Sequence, residues 1–387
     1  MRLLTVDVGT GTQDVCLFDT ALALENSYKL VMPSPTLMVR RRLRAATQRR
    51  EAVLLTGWLM GGGPSQWAAR DHVRAGGLLY ATPEAARTFD DDLDRVQREL
   101  GVQIVSADEA QALPASVTRL ELKDFDYPLL ERAFAEFGVA LRPDAVAVAV
   151  FDHGAAPPGC SDRQFRFDYL DARCRAARAL PTAQAQLAAF GHCAEAVPAD
   201  LTRLRAVVAA AQGLAAPLCV MDTAPAAVLG ALLDARVAAA LTQAGGGLVA
   251  NVGNFHCLAF RFGPAGITGL FEHHTGELTP AKLDAYLGAL ADSRLDRRAV
   301  FDDMGHGALV YDPQPLPAPF YLAALGPRRA LLAGSAHAPY FAAPFGDMML
   351  AGCYGLLRAL AAAYPEFSAP IEQALSGAGG RAPWEVN

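Results

Sequence analysis

Asp7 lies near the end of the apolar run Leu3-Leu4-Thr5-Val6-Asp7-Val8, and Gly9-Thr10-Gly11-Thr12-Gln13 follows at once. A carboxylate in that position can hold Mg²⁺ directly or through water. Gly9 and Gly11 let the backbone take positive φ and come close to a ligand. The hydroxyls of Thr10 and Thr12 add donors to the exposed N–H groups, and with Gln13 the set suits phosphate oxygens. A second apolar run, Val15 to Phe18, comes next, so the stretch predicts a β-hairpin with a polar tip.

The same plan recurs from Leu248 to Phe260: an apolar strand, Val252-Gly253, a short polar tip beginning at Asn254, and a strand opening Cys257-Leu258. Matching Cys16-Leu17-Phe18 to Cys257-Leu258-Ala259-Phe260 predicts an internal duplication with a shorter second turn. Gly253 and Asn254 thereby become candidates for a second phosphate contact, since two such hairpins can grip one polyphosphate from opposite sides.

Asp152 and His153 follow the apolar stretch Asp144 to Phe151, which reads as a buried parallel strand. Polar residues at the carboxyl end of such a strand are where open α/β sheets place ligand contacts, so both are candidates for a substrate site; a capped turn with a hydrogen-bonded His is the plainer alternative. A metal is the other chemistry to weigh, because His273, His274 and His306 lie among several carboxylates. Adjacent residues of a strand point to opposite faces, so only one of His273 and His274 can join His306.

The elements that would position these groups follow from periodicity and breakers. Leu22 to Leu30 predicts a third strand, and Pro33-Ser34-Pro35 interrupts it ahead of a run holding Arg40, Arg41, Arg42, Arg44, Arg49 and Arg50. That run is a solvated helix face or an anion-binding patch. Ala52 to Leu55 predicts a strand leading into Gly61-Gly62-Gly63-Pro64, a strand-to-helix turn of the kind that binds anions, with Pro64 opening the helix. Thr82 caps a helix on which Phe89, Leu93, Val96 and Leu100 share one face; Asp90, Asp91, Asp92 and Asp94 diverge around it and make no metal cluster. Pro128 to Gly138 predicts another helix, and Ser161 to Asp168 a lid or surface excursion. Pro217 to Met221 predicts a buried strand, and Asp222 caps a helix reaching about Leu241. Asp347 opens a helix in which Gly352 and Gly355 permit close packing, and the chain from about Pro365 onward reads as a loosely held tail.

The 387 residues, 52% hydrophobic and 19% charged, can bury two cores, and two domains are expected. A net charge of −6 gives no general attraction to nucleic acid. No uncharged run reaches membrane-spanning length and the N-terminus lacks a signal-peptide core, so a soluble cytoplasmic protein with no membrane partner is expected. Seven scattered cysteines argue against a disulfide framework.

With its paired hairpins the chain resembles the superfamily of acetate and sugar kinases, heat-shock chaperones and actin, whose two phosphate hairpins face each other across a cleft. Met221-Asp222-Thr223-Ala224 is similar to the helix start that precedes the second hairpin there, and Ala330 to His337 to the adenosine-binding strand and turn. The resemblance implies an α/β, two-domain actin-like ATPase (ribonuclease H-like) fold, with domains over 1–240 and 241–387 and ATP with Mg²⁺ in the cleft between them. It implies that Asp7 orients metal and water. Gly9, Thr10, Gly11, Thr12, Gln13, Gly253 and Asn254 hold phosphates, Gly334 and Ser335 flank the nucleoside, and Asp222 takes the place of the general base of sugar kinases. Asn251 stands where many relatives carry an acidic residue, which weakens a metal role there.

A closer resemblance is to a family within that superfamily labelled "putative pyruvate formate-lyase activating protein", through Met60-Gly61-Gly62-Gly63-Pro64, Phe89-Asp90-Asp91-Asp92-Leu93, Asp152-His153-Gly154, Asn251-Val252-Gly253-Asn254 and Phe345-Gly346-Asp347-Met348-Met349. Activators that make glycyl radicals hold an iron–sulfur cluster with three closely spaced cysteines, whereas no two here are closer than 14 residues, so that chemistry is not expected. A cluster shared between two subunits needs only two cysteines from each, and Cys160, Cys174 and Cys193 are the candidates. The function implied is a small-molecule kinase; the alternatives are an ATP-driven activator of a partner enzyme and a nucleotide-sensing binding module. A small-molecule substrate, a partner enzyme and a second copy of the chain are the expected partners.

Overall fold

The computed structural model describes residues 1–377 and 380–385. β1 (Arg2–Val8) and β2 (Thr12–Asp19) pair antiparallel as the first hairpin, from Arg2 opposite Asp19 to Val8 opposite Gln13. β3 (Tyr28–Pro33) adds to the far side of β2. It starts later than the sequence suggests, because a 3₁₀ turn over Leu24–Asn26 first tucks Leu24 into the core.

The chain then leaves this sheet and builds a separate, wholly parallel one from β4 (Val53–Gly57), β5 (Leu79–Ala81), β6 (Gln103–Ile104) and β7 (Thr118–Leu122), in the order β6-β5-β4-β7. The helix Pro35–Arg49 is capped by Ser34 and buries Val39, Leu43 and Ala46 in the same cluster as β4. Its arginines point outward: Arg41, Arg42, Arg44, Arg49 and Arg50 are exposed, so the run is a solvated face. Pro64 opens the helix Pro64–Arg74 as expected. The single helix expected from Thr82 to Leu100 is broken in two, Pro83–Ala86 and a second start at Leu93. Aspartate side chains take over the backbone donors at the break: Asp90 accepts from the N–H of Asp92 at 3.0 Å, and Asp92 from that of Arg95 at 3.1 Å. Phe89, Val96 and Leu100 still share one core, so the spacing marks burial correctly without marking one axis.

After the helix Tyr127–Ala135 the chain returns to the first sheet. β8 (Ala145–Val150) runs parallel to β1 and is buried at every residue, as a strand covered on both faces should be. β9 (His192–Cys193) and β10 (Leu218–Asp222) complete the order β3-β2-β1-β8-β10-β9. Residues from Ser161 form neither lid nor excursion. They start the helix Asp162–Ala177, which buries Arg166, Phe167 and Leu170.

β11 (Gly247–Val252), β12 (His256–Gly263), β13 (Gly266–His274), β14 (Gly307–Val310), β15 (Leu322–Leu325) and β16 (Tyr340–Phe341) form the third sheet, ordered β14-β13-β12-β11-β15-β16. Its plan repeats that of the first: β11, like β1, has an antiparallel meander on one side and a parallel strand on the other. The helix capped by Asp222 ends at Ala231, and Asp234 starts another, Ala235–Gln243, at 79° to it, where one helix had been expected. The apolar helix Ala351–Ala363 packs against Thr223–Ala231, and a Cβ at Gly230 or Gly355 would collide with the partner helix backbone. The expected loose tail is packed as far as Leu375: the helix Ser368–Leu375 buries Ile371 completely. Among the described residues no single helix is long and apolar enough to cross a membrane.

Candidate functional site

The two hairpin tips are built alike. Gly9 N–H donates to Thr12 O and Gly253 N–H to His256 O, both at 2.9 Å, and four residues separate the last paired positions in each, Val8 with Gln13 and Val252 with Cys257. The expected shorter second turn is therefore corrected: the register makes Cys257 the counterpart of Gln13, not of Cys16. It also makes Asn251 the counterpart of Asp7. The tips face each other so closely that a Cβ on Gly11 would lie 2.6 Å from Asn254 Nδ2. A cleft opens between them, lined by Asp7, Gly9, Thr10, Gly11 and Thr12 on one side and by Asn251, Gly253, Asn254 and His256 on the other.

Asp7 and Asp14 face the cleft from paired positions of β1 and β2. Asp7 accepts a 2.6 Å hydrogen bond from Thr223 Oγ1, and its other oxygen lies against Gly352, where a Cβ would collide with it. Burial pushes the Asp7 carboxyl up to about 7, with Thr223 pulling it back and the Asp222 charge adding to the rise. Burial, and then the charge of Asp7, push Asp14 up to about 8. Asp14 Oδ1 is buried without a partner, and among the described residues neither carboxylate meets a cationic side chain. Two adjacent acids that the protein itself leaves uncompensated are a donor set for a hard divalent cation. Asp14 was not singled out in the sequence, although its place opposite Asp7 follows once the hairpin is drawn.

Other groups come from the ends of neighbouring elements. His153 follows β8 and lines the cleft; burial, then Arg166 and Arg203, push its imidazole down to about 3, so it is neutral. Gly61, Gly62 and Gly63 line the cleft ahead of the Pro64–Arg74 helix, and Arg203 approaches Gly61 while gripping Asp124 at 2.6 and 3.0 Å. Trp67 of that helix stacks on Phe255 of the second tip, with ring centroids 5.8 Å apart. The Gly-rich turn thus belongs to the same site as the hairpins.

Several expected residues lie elsewhere. Gln13 is buried and donates to Pro33 O at 3.1 Å, outside the cleft, because it already belongs to strand β2. Gly334 and Ser335 follow a 3₁₀ turn over Arg329–Leu332, not a strand, and Ser335 Oγ accepts from the N–H of His337. The strand that reaches the cleft is β15, with Gly326 (φ +98°) and Pro327 at its carboxyl end. The Gly-Pro pair was the available signal. Asp152 is turned inward, accepting from the N–H groups of Gly154 and Leu204, both at 2.8 Å. Asp222 is also outside the cleft lining. It accepts from Ala224 N–H as the helix cap and is forked by Arg166, which also pairs with Glu272 and lies over the Phe151 ring at 3.6 Å. The charged residue in Phe165-Arg166-Phe167 was the clue to that buried pair.

His273 and His274 do point apart. His273 Nε2 lies 3.3 Å from Asp303 on one side, while His274 joins His306 on the other together with His256, its cross-strand partner. His256 was not anticipated as a member.

All seven cysteines are free; of the three candidates for a shared cluster Cys174 is buried, while Cys160 and Cys193 are half-buried. No curated protein matches the chain. One solved structure found similar is an exopolyphosphatase-like protein, 11% identical over 86% of this chain and 69% of that one, with a TM-score of 0.20, too low to bear on the fold or the site. The model of one family does match, over residues 60–331, from the Gly-rich turn to just past β15: the chain belongs to the family described as "Putative pyruvate format-lyase activating enzyme (DUF1786)".

Proposed function

We propose that the cleft binds a nucleoside triphosphate, ATP, with Mg²⁺, and cleaves the terminal phosphate to drive a change in a partner enzyme. The observation that carries this reading is the opposition of two equal hairpin tips, Gly11 against Asn254, above the Asp7–Asp14 pair. The repeated sheet order supports it, since it is the plan expected of a two-domain, actin-like ATPase. The first tip would offer the hydroxyls of Thr10 and Thr12 and backbone N–H groups to phosphate oxygens, those of Gly9 and Gly253 excepted because they close the two turns. Bound Mg²⁺ would neutralise charge on the phosphates; Asp7 and Asp14 would hold it, directly or through water. His153, neutral and at the cleft wall, can orient an attacking water by a hydrogen bond, but its lowered basicity leaves it unsuited to take the proton.

The family description, an activating enzyme of pyruvate formate-lyase, supports a partner enzyme as the beneficiary. No three cysteines converge among the described residues, so no radical step is assigned to this chain. A small-molecule kinase is the second reading. It is favoured by the same cleft but loses Asp222, the residue expected to deprotonate the acceptor.

Calorimetry and a phosphate-release assay on the full chain test the reading. MgATP should bind at micromolar to millimolar concentration, phosphate should appear without any acceptor, and Asp7→Asn should weaken MgATP binding by about ten- to a hundredfold. A folded chain that binds no MgATP at millimolar concentration overturns it. Turnover only with an added metabolite, which appears phosphorylated, replaces the activator by the kinase.

A further inference from the structure

Three imidazoles meet at one end of the third sheet. His256 opens β12, His274 ends β13 directly opposite it, and His306 precedes β14, its N–H donating to Glu272 O at 2.9 Å. One ring nitrogen from each lies within 4.8 Å of the others. Nitrogens bound tetrahedrally to one ion at about 2.0–2.1 Å stand roughly 3.4 Å apart, so small side-chain rotations would bring these three to one centre.

The ring nitrogens there lack the partners that buried polar groups nearly always have. His306 is fully buried with both Nδ1 and Nε2 unpaired, and His256 Nε2 is also buried and unpaired. His274 differs in an informative way. Its Nδ1 is 2.7 Å from Met304 O, to which it donates, leaving the Nε2 lone pair free. That carbonyl comes from a non-glycine residue held at φ +69°. Glu272 Oε2 stands 4.0 Å from His306 Nδ1, beyond hydrogen-bond reach, and is held by Arg166. A carbonyl that accepts from the far ring nitrogen, as that of Met304 does for His274, is what an outer partner of a metal-bound histidine provides.

We propose that His256, His274 and His306 bind one transition-metal ion of the zinc type, with a fourth position open toward His153 and the cleft. Imidazole donors select such an ion over Mg²⁺ or Ca²⁺, and three protein ligands are the number found where a water or substrate completes the shell. His153 lies with its ring centroid 5.5 Å from that of His256 and 6.1 Å from that of His306, and both His153 and His256 line the cleft.

The test needs no nucleotide and so stands apart from the ATPase reading. The full chain, stripped with a chelator, is titrated with Co²⁺ alone and then with Zn²⁺ as competitor. One equivalent of Co²⁺ should bind with the intense visible absorption of a four- or five-coordinate site, and Zn²⁺ should displace it. His274→Ala and His256→Ala, at half-buried positions where folding can be verified by circular dichroism, should each weaken binding by more than the roughly 10–100-fold that loss of an outer partner costs. His337→Ala, outside the cluster, should bind as the unaltered chain does. No uptake by the folded unaltered chain at micromolar Co²⁺ or Zn²⁺, or unchanged affinity in both ligand variants, overturns the proposal.

Discussion

Arg166 donates to both carboxylate oxygens of Asp222 through Nη1 and Nη2, at 2.7 and 3.2 Å, while Nε and the shared Nη2 reach Glu272. All three side chains are buried, and one guanidinium therefore faces two carboxylates away from water. Burial alone would lower Arg166, but the charges of Asp222 and Glu272 more than offset this and raise it, so the cation is firmly charged. Breaking a buried pair from one side leaves a charge without compensation. Arg166→Met should cost about 3–5 kcal/mol in urea denaturation. Asp222→Asn, which keeps most of the cap, should lose stability while turnover per folded molecule falls less than about tenfold. A hundredfold loss of turnover at unchanged stability would return Asp222 to a chemical role.

The Asp7–Asp14 pair gives a pH dependence whose sign can be worked out. Their carboxyls are raised to about 7 and about 8 in the folded chain, against 3.8 when unfolded. Between those limits the folded state holds more protons, so these groups favour folding most at low pH and lose that contribution as pH rises from about 4 to about 8. Asp14→Asn cannot ionise, and its melting temperature should gain on that of the unaltered chain across that interval. Mg²⁺ compensates the ionised pair, so it should stabilise the unaltered chain more at pH 8 than at pH 5. Scanning calorimetry at the two pH values decides. Equal Mg²⁺ effects at both would mean that the pair is not where the cation binds.

Much of this cleft was legible because its parts are local in sequence. Each hairpin carries its strands and its tip within twenty residues, and polar residues that follow an apolar run mark a strand end wherever the strand packs. What was hidden depends on partners far away in the chain. Asp222 reads the same whether it faces solvent or a guanidinium, and only the approach of Arg166 and Glu272 settles which. The parallel sheet of residues 53–122 gave little signal because two of its four strands, β5 and β6, are three and two residues long. β15 was overlooked for a similar reason, as Leu-Ala-Ala-Leu has no alternation to read. The helix joint at Asp234 shows the converse: small apolar residues run continuously through it, and only the aspartate marks the turn.

If the opposed tips hold one ligand, their glycines should matter more to binding than to folding. A Cβ at Gly253 would lie 2.7 Å from the His256 carbonyl inside the turn, while one at Gly11 meets only the movable amide of Asn254. Gly253→Ala should therefore distort its tip and weaken MgATP binding about tenfold or more, for roughly 1–3 kcal/mol of strain. Gly11→Ala can be accommodated by Asn254 and should be milder, whereas Gly11→Ala with Asn254→Ala also removes the facing amide and should bind more weakly than Gly11→Ala alone. Calorimetric titration of the three variants ranks them. Equal affinity in all three would place the phosphates elsewhere.

The helix Ala351–Ala363 carries two glycines on one face, and their substitution should separate stability from cation binding. A Cβ at Gly355 would collide with the carbonyl of Ala226 in the facing helix, which has hydrogen bonds of its own and cannot rotate away. Gly355→Ala should push the helices apart and cost at least the roughly 1–3 kcal/mol of an overpacked core, lowering the melting temperature. A Cβ at Gly352 would collide with the Asp7 carboxylate, a group that can turn at the expense of its bond to Thr223. Gly352→Ala should accordingly cost less stability than Gly355→Ala and more Mg²⁺ affinity, because Asp7 is turned from its present direction. Each variant is read twice, by thermal denaturation without ligand and by Mg²⁺-dependent ATP binding corrected for folded fraction. The expected result is a crossing of the two orders. If both variants lose stability alike and bind MgATP alike, Asp7 has no part in holding the cation, and Gly352 serves only the packing of the helix.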